Sequence, residues 1–470
     1  MTGGRLFTVE RQTIAPIPED ERHGTSRGLV AIWFGMNMTP LAVVTGATAT
    51  TVLGLSLGWA IVAVLVGNML GGIGMALHAA QGPRLGVPQM LQARGQFGAY
   101  GAAVIVLVAL VMFVGYFSSN LVVAAGSVHQ IAPGMDEVGT LLLCTAISLV
   151  VSVFGHDLVR RITAWSSYVV GALVLVAFVR LLSGGALGAV VHEGRFSASG
   201  FLGMLAIGVV WQLTYAPYVS DYSRYMPRDT GARGAFWGSY SGCVASSALL
   251  MVLGAAVGLA SHGADTMSGL DELLGPLIGF VVLFGFALAA TAGNSVNAYC
   301  SSLCALTLGE TFRRGWVPGV RARLATTAVL HLVGLWIAVE AQSGFATAYF
   351  SFLSILLYVL IPWSAVNLVD YYLVRRGDYD VDAFFRADGG GYGRWNAGAL
   401  LVFALGALLQ IPFMMTNVYT GPIATALGGV DVAWLVGLAV SCVLYHQLAR
   451  RRPALVRLQP TTAAETEVVS

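Results

Sequence analysis

Apolar runs long enough to cross a lipid bilayer recur along this chain and leave few ways to fold it. About 20 apolar residues span the hydrocarbon core. That template finds twelve segments, at 28–52, 57–80, 97–127, 138–155, 163–184, 201–220, 235–260, 275–309, 325–341, 344–372, 396–418 and 428–449. All 25 basic residues are Arg, and 23 of them fall in the tails or in alternate connections; Arg180 and Arg195 are the exceptions. Positively charged connections stay in the cytosol. Both termini are therefore expected there, in a multi-pass protein of the plasma membrane. Only 10% of residues are charged and 57% are hydrophobic, against about 25% charged in soluble domains. The expected class is an all-α polytopic membrane protein. Residues 1–27 read as a cytosolic tail without a cleavable signal, 28–395 as the core, 396–449 as two further helices and 450–470 as a second tail. Segments 97–127 and 275–309 exceed one upright crossing and are expected to tilt or project.

The first segment carries an interruption, Gly35-Met36-Asn37-Met38-Thr39-Pro40. Pro40 lacks an N–H and opens carbonyls around Gly35–Asn37. Lipid offers freed backbone groups no partner, so a break must face protein or a water-filled cavity. A simple proline kink is the alternative. The sixth segment repeats the pattern at Trp211-Gln212-Leu213-Thr214-Tyr215-Ala216-Pro217. Five helices separate the two, and an odd repeat inverts the second copy. Paired interruptions at matching places point to a transport site at the bilayer midplane. Twelve helices in a five-plus-five inverted repeat plus two are expected.

Three polar clusters interrupt apolar segments. Tyr116 and Asn120 lie four apart on one face of the third, where a ring can stack on a planar ligand and an amide can hydrogen-bond it. Trp211 and Gln212 precede the second break, with Tyr215 one turn beyond, far from the interfacial belt where Trp usually sits. Asn294 and Asn297 share a face of the eighth segment, and their amides can read the edge of a nucleobase-like ring. Helix–helix hydrogen bonding is the competing role for the polar groups, and core packing for Trp211. His331 reads as a satisfied, peripheral histidine. The five Cys form no disulfide or zinc pattern. No phosphate-binding loop, metal-ligand spacing or nucleophile–base set occurs, which argues against an enzyme, a cofactor, a confident metal site and ATP-driven transport. A net charge of +2 favours no nucleic-acid partner. The expected partners are a small nucleobase-like molecule and the lipid bilayer.

The chain resembles the nucleobase:cation symporter-1 family, purine–cytosine permease branch, over about residues 20–395. The resemblance rests on Trp33–Pro40, on Gly82-Pro-Arg84-Leu-Gly86 with Arg94–Gly98, on Ala216–Pro227, and on Asn367–Tyr379. It implies a leucine-transporter-type fold in which helices one, two, six and seven rock against a scaffold. It also implies a nucleobase held between aromatic rings of helices three and six. Tyr116 matches the helix-three stacker, where relatives commonly carry Trp, and Asn120 its neighbouring amide. Trp211 and Gln212 match the helix-six contacts, with Tyr215 a competitor one turn away; Asn294 and Asn297 match the helix-eight amides. Sodium-coupled relatives place hydroxyl residues just before the first helix-eight Asn, where this chain has Ala292 and Gly293. The remaining cation-site candidates are Gly35, Met36, Asn37, Thr39 and Pro40, unless a register slip brings in Thr291 or Ser295. The resemblance therefore implies import of cytosine or a purine by cation symport, H+ favoured over Na+, with the tenth helix as outer gate. The same fold carrying allantoin, a hydantoin, thiamine or a pyridoxine-like ring is the alternative; a membrane receptor or membrane enzyme is the alternative class.

Overall fold

The computed structural model describes residues 15–451, apart from 155, 184, 186, 187, 189, 190, 230, 263, 264, 314, 315 and 317 and the side chains of 154–167. Most of both tails, Arg314 and the Arg160 and Arg161 side chains lie outside the described residues. The described residues form helices, with two isolated β-bridges and no strand. In chain order the principal helices are α1 Ser26–Met36, α2 Pro40–Thr51, α3 Leu57–Ala79, α4 Gln89–Phe97, α5 Ala102–Ile131, α6 Glu137–Phe154, α7 His156–Ser183 and α8 Ala198–Leu213. They continue as α9 Ala216–Ser223, α10 Gly231–Ala260, α11 Thr266–Leu274, α12 Pro276–Phe312, α13 Val320–Ala341, α14 Phe345–Leu368, α15 Ala397–Leu408 and α16 Ala433–Arg451.

Among the described residues, seven helices are long and apolar enough to cross a membrane, or eight if α1 and α2 count as one broken span. Three shorter apolar helices accompany them. The sequence expects twelve crossings, so the firm count is smaller. The long segments become α5, with 30 residues, and α12, with 37; at about 1.5 Å per residue α12 is about 55 Å long. The segment expected at 396–418 ends as an α-helix at Leu408, because Pro412 follows and the chain turns into a hairpin bridged at Met415 and Thr420.

The two interruptions differ in kind. α1 and α2 meet at 65°. Thr25 caps the start of α1, its Oγ1 accepting from Gly28 N. Pro40 opens α2, where a missing N–H costs nothing. In the sixth segment the helix lapses only at Thr214 and Tyr215, and Pro217 already lies in the first turn of α9. The halves α8 and α9 still pass as one apolar span.

Small residues let the helices approach closely. A Cβ at Gly46 would overlap the Met251 backbone, and one at Gly254 the Val43 carbonyl, where α2 crosses α10. Gly67 and Gly71 of α3 meet the Leu205 and Val209 backbone of α8 in the same way. Helices in lipid gain from such contact because tails are as apolar as their side chains.

Several Arg-bearing connections among the described residues pack against one another. Arg22 donates to the Ile17 and Pro83 carbonyls, Arg94 to the Phe384 carbonyl and Arg224 to the Ala15 carbonyl. Asp370 is the anchor here, only 1% exposed. Its Oδ2 accepts from Arg375 Nε at 3.1 Å and Tyr379 OH at 2.5 Å, and its Oδ1 from Tyr445 OH at 2.9 Å. Arg375 also lies over the Tyr379 and Tyr392 rings. Two motifs carrying the family resemblance meet here: Gln96 donates to Tyr379 OH, and Gln81, beside the Gly82 motif, donates to Asn367 Oδ1. Asp370→Ala removes the carboxylate that pairs with the buried Arg375 guanidinium and accepts from the Tyr379 and Tyr445 hydroxyls. We expect it to lower stability by about 3–5 kcal/mol, the usual cost of breaking a buried pair, read as loss of thermal stability of the detergent-solubilised protein.

Candidate functional site

Asn37, the last residue before the chain leaves α1, is fully buried. Its Nδ2 donates back to the Trp33 carbonyl at 3.1 Å. Its Oδ1 accepts from three donors on other segments: Trp211 Nε1 at 2.8 Å, Tyr215 OH at 2.6 Å and Ser247 Oγ at 2.7 Å. One amide oxygen therefore ties the first interruption to the second and to α10. Behind it, Gln212 Nε2 donates to Asn68 Oδ1 at 2.8 Å and to Ser247 Oγ at 3.2 Å. Asn68 and Ser247 were not singled out in the sequence; an Asn amid the apolar second segment was the signal that could have found the first.

Next to this node is a cavity of about 50 Å³, bounded by the helix breaks, α5 and α12. Tyr116, Asn120, Trp211, Tyr215 and Asn297 line it, as do Met36, Thr39 and Gly293. These expected residues come from four separate sequence regions. Thr214 and Tyr218 join them. The Tyr116 hydroxyl and Asn120 Oδ1 are buried without hydrogen-bond partners. Buried polar atoms are normally paired, so these are the groups free to meet a ligand. The Tyr116 and Trp211 rings stand edge to face, 6.1 Å apart at 88°. A planar guest between them requires the rings to turn face-on.

Other expected residues support the lining. Gln212 faces Asn68 and Ser247. Asn294 donates to the Phe117 carbonyl at 2.8 Å and accepts from Asn297 Nδ2 at 3.3 Å, so it orients the amide that lines the cavity. Gly35, Asn37, Pro40 and Ala292 do not line it. Gly293 stands beside Thr39, with an ideal Cβ 3.7 Å from Thr39 Cγ2. His331 is buried on α13, its Nδ1 2.8 Å from the Thr327 carbonyl and its Nε2 3.4 Å from Ser148 Oγ, away from the cavity lining.

The family described as permease for cytosine/purines, uracil, thiamine, allantoin matches residues 16–437. The chain belongs to this nucleobase:cation symporter-1 family, in its purine–cytosine permease branch. A putative purine-cytosine permease of Bacillus subtilis, YxlA, is 38% identical over 94% of this chain and 96% of its own. The purine-cytosine permease fcyB of Emericella nidulans is 25% identical over 93% and 88%. Among solved structures, Mhp1 in a closed conformation with bromovinylhydantoin bound superposes with a TM-score of 0.79, at 20% identity over 96% of this chain and 98% of that one. Its inward-facing form gives 0.74, at 21% identity over 96% of each chain. The permease is thus a multi-pass membrane transporter with the Mhp1 fold, and not an enzyme.

Asn37→Ala removes the shared acceptor of three buried donors; Trp211 Nε1 keeps Ser247 Oγ at 3.0 Å, while a donor left unpaired costs about 1–3 kcal/mol. Asn37→Asp retains the acceptor. We expect the Ala variant to bind substrate at least tenfold more weakly and to melt lower, and the Asp variant to recover part of the affinity, measured by ligand titration and thermal unfolding in detergent.

Proposed function

We propose that this permease imports a nucleobase, cytosine or a purine, in symport with a proton. The carrying observation is the cavity between the two interrupted helices, where Tyr116 and Trp211 offer faces and Asn120 and Asn297 offer amides. A planar heterocycle stacks on the rings and satisfies the bare Tyr116 hydroxyl and Asn120 oxygen. Twelve crossings in an inverted five-plus-five repeat, both termini in the cytosol of a plasma-membrane protein, accord with the alternation of Arg along the sequence. Substrate arrives from outside, α14 closes over it, and the bundle built on both breaks then rocks to open the Arg-rich side.

Proton coupling is favoured by what stands at the sodium-site positions. A hard cation wants oxygen ligands. Ala292 and Gly293 bring no side-chain oxygen to the Thr39 side of the break, and Asn37 Oδ1 already accepts three hydrogen bonds. A second reading keeps the fold and carries another small nitrogen heterocycle. Its support is Tyr116 where Trp is common, the allantoin permease of Bacillus subtilis at 23% identity over 95% of this chain, and the hydantoin bound by Mhp1.

Uptake of labelled cytosine, adenine, hypoxanthine and allantoin into proteoliposomes separates these readings. We expect cytosine or a purine to accumulate under an inward proton gradient and a protonophore to abolish it. Binding without accumulation indicates a receptor. Sodium-dependent uptake that resists protonophore at clamped membrane potential overturns the coupling. Tyr116→Ala and Asn297→Ala are expected to raise KM at least tenfold. Gly293→Ser returns one missing oxygen, and we expect sodium stimulation of uptake to rise from none to a measurable fraction, assayed with choline as the replacement ion.

A further inference from the structure

A second cavity, of about 420 Å³, lies across α14 from the central one. Leu53 beyond α2, Gly203 and Ile207 of α8, and Leu353, Ser354 and Leu357 of α14 wall it, and Met415, Asn417 and Asp431 flank its far side. Its wall is largely apolar with a few polar groups, the make-up of small-molecule sites.

The other face of α14 packs against residues beside the central cavity. Tyr349 OH and Thr45 Oγ1 lie 2.9 Å apart. The Phe352 ring meets Tyr116 edge-on, 5.3 Å between centroids, and covers Gly115, where a Cβ would strike it. α14 cannot leave this position until both rings withdraw from Thr45 and Tyr116.

α14 is built to bend away. Pro362 gives no N–H to the Tyr358 carbonyl one turn earlier, and Gln410 Nε2 donates to that carbonyl instead, at 2.8 Å. The helix is thus released from its own ladder at Pro362 while no buried carbonyl is left bare. At its other end Gly344 holds a left-handed φ of 104°. A swing away from Tyr116 carries the segment 345–358 towards the second cavity.

We propose that this cavity is the space α14 occupies when the central site opens, and that it is an inhibitory site for uncharged amphipathic molecules, which hold the gate shut by filling it. The proposal rests on the alternating-access reading above. The cavity is partly open to its surroundings and borders the helix that must move.

The test attaches a probe covalently. Ser354→Cys is a near-isosteric change at a half-buried position. Benzyl methanethiosulfonate converts that thiol to a benzyl disulfide and releases methanesulfinate; the methyl reagent adds far less bulk. The unsubstituted chain, with four cysteines buried and Cys442 half-buried, is treated in parallel. We expect benzyl modification to slow nucleobase uptake at least tenfold, methyl modification less than twofold, and dithiothreitol to restore the rate. Gly203→Phe fills the cavity from the opposite wall, where the nearest side-chain atom to a Cβ is Leu53 at 3.5 Å; it is expected to block uptake while retaining the parent's gel-filtration profile. Full uptake after mass-verified benzyl modification overturns the proposal alone. An unmodified Ser354→Cys protein that binds nucleobase but never accumulates it overturns the transport reading beneath it.

Discussion

The structure depends on how an interrupted membrane helix keeps its polar groups satisfied. Lipid has no donor to offer the chain between Met36 and Pro40, so protein must supply it. Asn37 solves the problem in both directions. Its amide nitrogen returns to the helix it has just left, and its oxygen gathers an indole, a phenol and a hydroxyl from α8, the second break and α10. Each donor is thereby oriented as well as paired. Trp211 and Tyr215 line the central cavity because their polar ends are fixed behind it. A bound cation could draw the same segments together, but it would need negative or carbonyl oxygens facing inward. This node is neutral and already full.

Around that node the fold is held by contact and by a buried ion pair. Where Gly46 crosses the Met251 backbone and Gly254 the Val43 carbonyl, there is no room for a methyl group. The helices α2, α3, α8 and α10 accordingly pack backbone against backbone. Among the Arg-bearing connections, Asp370 joins the end of α14 to the loop carrying Tyr379 and to α16 through Tyr445. That anchor fixes one end of α14, so bending at Pro362 is delivered to the other.

Much of this was legible in the sequence because the bilayer imposes it. Apolar length, Arg alternation and prolines within apolar runs each answer to a constraint visible residue by residue. The grouping of Tyr116, Asn120, Trp211, Tyr215 and Asn297 also followed, since an amide or a mid-membrane indole must find a polar neighbour. Direction was harder to read. Asn294 and Asn297 share a helix face by spacing, yet one turns to the Phe117 carbonyl and the other lines the cavity, a choice set by α5 alone. Asn37 was expected among cation ligands because its backbone is opened by Pro40; its side chain is consumed by donors 174 to 210 residues away. Asn68 joins the node through Gln212, and Ser247 through Asn37, Trp211 and Gln212, contacts between helices that no local pattern encodes. The sequence also did not show that the apolar stretch at 396–418 leaves the α-helix at Leu408 and turns at Pro412.

The same hairpin explains why the two faces of α14 differ. One face carries Tyr349 and Phe352 against Thr45 and Tyr116; the other carries Leu353, Ser354 and Leu357 against empty space. Had the eleventh segment continued as a long straight helix, it could have packed along that second face and filled it. Its early end at Leu408 leaves Gln410 free to serve the Tyr358 carbonyl, and Asp431 to accept from the Tyr358 hydroxyl at the same level. Both contacts sit at the pivot. Towards the hairpin tip, Asn417 reaches only the exposed Thr347 carbonyl and Ser351 hydroxyl, bonds that water can replace at little cost. Strong contacts at the pivot and replaceable ones at the tip are what a helix needs if it is to bend there and nowhere else.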